Sequence, residues 1–182
     1  MRAIPTDLPE VLLLEPTVFT DPRGVTYESY NRRTLREIAG IDADFVQDNR
    51  SRSARHVIRG LHYQLGEPQG KLVGALVGRI WDVAIDLRRS SARFRKWAAF
   101  ELSDENRRFA WIPPGFGHGF LALTDGVEVM YKMSRFWAPK QERVIRWDDP
   151  DIGVAWPLGG AKPILSKRDA EGSALRDAEV FP

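Results

Sequence analysis

Apolar segments of strand length recur along the chain, at 11–19, 24–31, 44–48, 56–64, 71–77, 80–87, 96–102, 109–113, 118–124 and 127–134. Gly, Pro, Asp and Asn punctuate them, and this spacing predicts an all-β sandwich or barrel with little room for helix. Within 80–87 the alternation is clean, with Trp81, Val83, Ile85 and Leu87 on one face against Asp82, Ala84 and Asp86 on the other. Two turns suit two-residue hairpins, Gly78-Arg79 as type II′ and Asp125-Gly126 as type I′. A helix is expected only over 32–40, ending at Gly40, and at the tail, where Ser166 suits an N-cap with Asp169 at the third helical position. A length of 182 residues supports one sizeable core, so residues 1–182 are expected to form one domain.

Composition narrows the function classes. The absence of cysteine removes disulfides, thiolate catalysis and cysteine-ligated zinc. The net charge of +2, with Lys and Arg scattered among acids, argues against nucleic acid but leaves room for a basic site holding one anionic ligand. "VLLL" at 11–14 is too short for a membrane span or a secretory core, so no membrane association and a cytoplasmic location are expected.

The histidine in "HVIRGLHYQ" (56–64) raises the question of chemistry. Strict alternation sets Ile58, Gly60 and His62 on one face and Val57, Leu61 and Tyr63 on the other, leaving His62 open as a core residue, a metal ligand or a proton carrier. "WIPPGFGHGFLALTD" (111–125) adds His118 in a Pro-x-Gly-x-x-His spacing, half of the metal pattern of double-sheet barrels. The other half is broken, because Gln64 stands two residues after His62 where a second histidine would complete it. Zinc and iron prefer imidazole and carboxylate, so no metal is expected, and His62 is free to move protons. Lys71 shares a strand face with Val73, Ala75 and Val77, and Tyr131 one with Val127, Val129 and Met133. A lysine and a tyrosine on such faces suit a cavity in the barrel interior.

"DPRG" (21–24), "FVQDN" (45–49), "VIRGLHYQ" (57–64), "QGKLV" (69–73), "WIPPGFGHGF" (111–120), "VMYK" (129–132), "IRWDDPDIGVAWP" (145–157) and "PILSKRDA" (163–170) occur in order across nearly the whole chain. In these blocks the chain resembles the dTDP-4-dehydrorhamnose 3,5-epimerase family, metal-independent cupins of deoxysugar-nucleotide biosynthesis. The resemblance implies a cupin-type double-sheet jelly-roll barrel with a few short helices. It further implies inversion of C3 and C5 of dTDP-4-dehydro-6-deoxy-D-glucose, with no cofactor. Both carbons are α to the C4 ketone, so each inversion is removal of a proton to an enolate and its return on the other face.

By the same resemblance His62 is the base, Asp169 the acid paired with it, Tyr131 the acid on the opposite face and Lys71 the cation facing the C4 oxygen. Arg59, Gln47, Asn49 and Arg168 would hold the diphosphate, with Arg23 reaching in from a partner subunit, and Glu28 is a further substrate contact. His118 would line the sugar site and Trp137 would offer a flat face to thymine. A homodimer with exchanged N-terminal strands is implied as well. Departures from the family pattern are Val25 and Thr26 in place of an aromatic pair, Gly74 in place of an arginine, and "FWAP" (136–139) for "YYAP". Relatives that epimerise only C3 or only C5 share the four chemical positions, so that reading stays open beside dual epimerisation. Two further readings stand as rivals, a metal-dependent cupin isomerase or dioxygenase and a non-catalytic sugar-nucleotide binder.

Overall fold

The alternating segments become strands that pair into two antiparallel sheets. In the computed structural model, which describes residues 1–182, the strands are β1 (Arg2–Pro5), β2 (Leu12–Glu15), β3 (Val18–Asp21), β4 (Gly24–Tyr27), β5 (Gln47–Ser53), β6 (Ile58–Gln64), β7 (Lys71–Val77), β8 (Arg79–Asp86), β9 (Trp97–Ser103), β10 (Phe109–Ile112), β11 (Phe116–Ala122), β12 (Val127–Met133) and β13 (Glu142–Val144). One sheet runs β1-β2-β10-β7-β12-β5, the other β13-β6-β11-β8-β9, and β3 and β4 form a separate ribbon. Helix α1 (Arg32–Ala39) is capped by Asn31 and closed by Gly40 in the left-handed region. Helix α2 (Lys167–Ala170) starts at Ser166, whose hydroxyl accepts from the Asp169 backbone N–H, as the sequence predicts. No helix is long and apolar enough to cross a membrane.

The two sheets enclose a core that includes Val73, Ala75, Ile80, Ala84, Phe100, Phe120, Val127 and Val129. Both sheets are also covered on the outside, so most of β8 is buried on both faces. Val83 and Ile85, with Leu87 just past the strand's end, point outward under a C-terminal segment that supplies Ile145, Ile152 and Leu175. On the other sheet, Leu72, Phe109 and Trp111 pack outward with Leu35 of α1. Gly74 also faces outward, where a Cβ would come within 2.5 Å of the Phe109 ring. The missing arginine at this position is therefore replaced by aromatic packing on the outside of the barrel.

Neither predicted hairpin forms. Strands β7 and β12 belong to the six-stranded sheet and β8 and β11 to the five-stranded one, so Gly78 and Asp125-Gly126 are corners where the chain crosses between sheets. Gly78 and Gly126 do adopt positive φ, but Asp125 is not among the residues that do, which excludes a type I′ turn. A glycine marks the backbone conformation of a turn without saying whether the flanking strands pair. Strand β5 also differs from the expected 44–48: it runs through "QDNRSRS", a polar edge strand whose inward face lines a cavity instead of a core.

Strand β6 departs from strict alternation at one point. Arg59 pairs with Phe120 and His62 with His118, so two residues of β6, Gly60 and Leu61, stand against one of β11, Gly119, and form a bulge. Val57 therefore packs on the barrel interior while Leu61 and Tyr63 pack outside, correcting the single face expected for these three. The bulge brings both Arg59 and His62 to the inside. Gly60 is required there: its φ is 114°, and a Cβ would sit 2.6 Å from the His118 carbonyl oxygen and 2.7 Å from the Gly119 Cα. Gly60→Ala is expected to destabilise the protein by about 2 kcal/mol or more, read from the urea midpoint, because both backbone conformation and space oppose it.

Candidate active site

A cavity of about 540 Å³ opens between the two sheets, towards their β5 and β13 edges, and collects most of the expected chemistry. Its walls include Gln47, Asn49 and Ser51 of β5, Arg59 and His62 of β6, Lys71 of β7, His118 of β11 and Tyr131 of β12. Trp137 and Glu142 complete the outer rim.

His62 meets Asp169 at 2.5 Å, Nε2 to Oδ1, and the second carboxylate oxygen accepts from the Ser166 hydroxyl at 2.8 Å. With Nε2–H donating to the carboxylate, Nδ1 carries the lone pair of the neutral ring. Burial pushes the Asp169 carboxyl up, but the hydrogen bond and charge of His62, the Ser166 hydroxyl and the Gly60 amide outweigh it and hold the group below its ordinary range. The cap residue of α2 thus orients the carboxylate that orients the histidine.

Tyr131 faces the cavity from the opposite sheet, its hydroxyl 3.3 Å from Ser51 Oγ and its ring edge-on to His118. Burial raises its pKa above that of a free phenol, so it remains a proton donor across the neutral range. His118 is buried against Asp82, with 2.9 Å between Nε2 and Oδ2. Burial lowers its pKa, Asp82 opposes the shift, and the Lys71 and His62 charges reinforce it. Gln64, at the position where a metal pattern needs a ligand, donates its side-chain amide to the carbonyls of Glu67 and Phe136 and accepts from Ala138 N–H. It braces the 136–138 loop.

Lys71 is buried, with Nζ 3.3 Å from the His62 carbonyl oxygen, and burial brings its pKa down to about 8 against the favourable charges of Glu142 and Asp82. A folded pKa below the unfolded one means that the charged lysine costs stability at pH 7, and that the cost is relieved as pH rises from about 8 towards 10.5. Lys71→Met is therefore expected to unfold at higher denaturant concentration at pH 7, gaining up to about 3 kcal/mol while losing activity. The gain should shrink in alkaline buffer.

Not every expected residue reaches the cavity. Arg168 lies beside it, paired with Glu142 at 2.6 Å. Arg23 is at the tip of the β3–β4 ribbon, bonded to Asp21, and Glu28 accepts from Asn31 and Thr34 at the start of α1. Neither Arg23 nor Glu28 lines the cavity of its own chain. Sequence reasoning missed Ser51, Gln69, Asp82 and Glu142. Asp82 left a signal, an acid inside a strand with no exposed face, whereas Glu142 left none.

The family model described as dTDP-4-dehydrorhamnose 3,5-epimerase matches residues 5–177. The chain belongs to this family. Among similar proteins is the dTDP-4-dehydrorhamnose 3,5-epimerase of Pseudomonas aeruginosa, 52% identical over the full length of both chains. A crystal structure of dTDP-6-deoxy-D-glucose-3,5-epimerase from Legionella pneumophila, in complex with dTDP-4-keto-L-rhamnose, superposes with a TM-score of 0.95 at 42% identity, covering 98% of this chain and 94% of that one. A 3′-monoepimerase from Streptomyces bikiniensis, in complex with dTDP-quinovose, gives 0.88 at 31% identity over 97% and 88% of the two chains. As an epimerase-family member the chain is an isomerase, and its double-sheet barrel is that of its relatives.

Proposed function

We propose that this chain inverts C3 and C5 of dTDP-4-dehydro-6-deoxy-D-glucose, giving dTDP-4-dehydro-L-rhamnose. The observation that carries the reading is that a carboxylate-paired histidine and a protonated tyrosine enter one cavity from opposite sheets, so a sugar ring held between them meets a base on one face and an acid on the other. His62 takes the proton from the carbon α to the ketone, and the bonding pair moves into the enolate as charge builds on the C4 oxygen. Lys71 stabilises that oxygen, and Tyr131 returns a proton from the far face. Asp169 steadies the imidazolium formed at His62 and His118 hydrogen-bonds the sugar.

The nucleotide lies towards the rim in this reading. Trp137 stacks on the base, and Gln47, Asn49, Arg59 and Arg168 serve the diphosphate. Arg59→Ala is expected to weaken dTDP binding by about 1.5–3 kcal/mol through loss of charge-assisted hydrogen bonds, measured by calorimetry. Arg23 and Glu28 act in the site of a second copy. The β3–β4 ribbon supports such a homodimer, since it pairs with neither sheet of its own chain and exposes Phe19 and Val25. Light scattering should give a dimer mass.

Incubation with dTDP-4-dehydro-6-deoxyglucose, followed by NMR of the sugar ring couplings, tests the reading. The likeness to the 3′-monoepimerase favours one specific alternative, inversion at C3 alone. That outcome would leave the C5 configuration unchanged.

A further inference from the structure

Glu142 lines the cavity and is assigned no part in the reading above, yet its contacts reach both ends of the site. Its Oε2 accepts from the Trp137 indole N–H at 2.7 Å and pairs with the Arg168 guanidinium at 2.6 Å. The Trp137 backbone N–H donates to Gln47, whose amide continues to Asn49 at 2.9 Å. Arg168 sits next to Asp169 on α2, a helix of four residues. So short a helix does not hold its own orientation, and depends on its anchors.

We propose that Glu142 is a positioning residue: one carboxylate oxygen ties the indole wall of the nucleotide site to the helix that carries Asp169, so that base stacking and the orientation of the His62–Asp169 pair are fixed together. The use assigned to this tie rests on the epimerase reading, whereas the tie itself rests on geometry. An ionised carboxylate oxygen accepts two charge-favoured hydrogen bonds, and a neutral amide holds both more weakly. Glu142 also supports the charge of buried Lys71 from β13, as Asp82 does from β8, while protonation of His62 on β6 or His118 on β11 opposes it and Tyr131 on β12 faces it uncharged. One side chain therefore holds wall and helix by contact and bears on the buried cation through its charge.

The test compares wild type with Glu142→Gln, Glu142→Asp and Arg168→Met in two readouts. In nitrogen-15 spectra the Trp137 indole resonance, assigned with Trp137→Phe, is expected to move in Glu142→Gln and also in Arg168→Met, because the indole N–H and the guanidinium share Glu142 Oε2. In turnover, Glu142→Gln is expected to lower kcat about tenfold or more and to bring the alkaline limb of kcat/KM to lower pH. Glu142→Asp should restore the limb by its charge, but not the full kcat, because its shorter arm cannot reach both partners. Arg168→Met alters an exposed side chain, so its spectrum tests the tie even if the Glu142 variants fold poorly. An indole resonance unmoved by Arg168→Met, or a Glu142→Gln enzyme with wild-type kcat and alkaline limb, overturns the proposal. If wild type fails to epimerise the sugar, the epimerase reading falls instead, and the indole shift still decides whether the tie exists.

Discussion

His62→Ala is expected to abolish deuterium exchange at both C3 and C5 and to lower turnover by about 10²–10⁴-fold. Without the base no enolate forms, and neither carbon can exchange. Binding should change little, because Lys71, Arg59 and Trp137 remain. The variant also leaves Asp169, which is 4% exposed, without the ring that holds its Oδ1. Stability should therefore fall by about 1–3 kcal/mol, offset in part by the Ser166 hydroxyl and the Gly60 amide. Measuring the unfolding midpoint beside the exchange rate separates a lost base from a lost fold. Exchange at the wild-type rate in a folded variant would make His62 a structural residue.

Tyr131→Phe should separate exchange from inversion. The phenol is the only acid in this mechanism on the far face, and burial keeps it protonated. Removing its hydroxyl leaves His62 free to form the enolate and to return a proton from the side on which it was removed. Net inversion is expected to fall by about 10²–10⁴-fold while exchange continues, provided the imidazolium trades its proton with solvent before returning it. The ring itself still packs against His118 and Phe120, so stability should change by no more than about 1 kcal/mol from the lost Ser51 contact. Equal loss of exchange and inversion would mean that the tyrosine takes part in forming the enolate as well.

The strands were legible because a barrel needs alternating inner and outer faces, and β8 and β12 carry that alternation openly. What alternation cannot express is where it breaks. The bulge at Gly60 and Leu61 interrupts a run that reads as continuous alternation, so the separation of Val57 from Leu61 and Tyr63 went unseen. The polar strand β5 was cut short at 48 because a strand that lines a wet cavity carries no apolar stripe. The two corners resembled hairpins because a glycine at positive φ serves either purpose.

The site was legible residue by residue through its motifs, and much less so through its supporting contacts. His62, Lys71 and Tyr131 announce themselves as polar groups on inward faces, and Ser166 as a cap foretold the setting of Asp169. Glu142 and Ser51 were hidden because their partners come from distant segments: Glu142 meets Arg168 across 26 positions of sequence and Ser51 meets Tyr131 across 80. Gln64 shows the reverse. Its identity argued against a metal, but its bracing of the 136–138 loop became visible only when that loop was placed beside it.

The central claim is that both α-carbons of a 4-keto sugar nucleotide are deprotonated and inverted in this one cavity. Incubating the protein with dTDP-4-dehydro-6-deoxyglucose in heavy water and reading the ring by NMR tests it most directly. The expected result is solvent deuterium at both C3 and C5 in a product inverted at both carbons. Deuterium at neither carbon would contradict the account altogether, and deuterium at C3 alone with C5 unchanged would replace dual inversion by a single one.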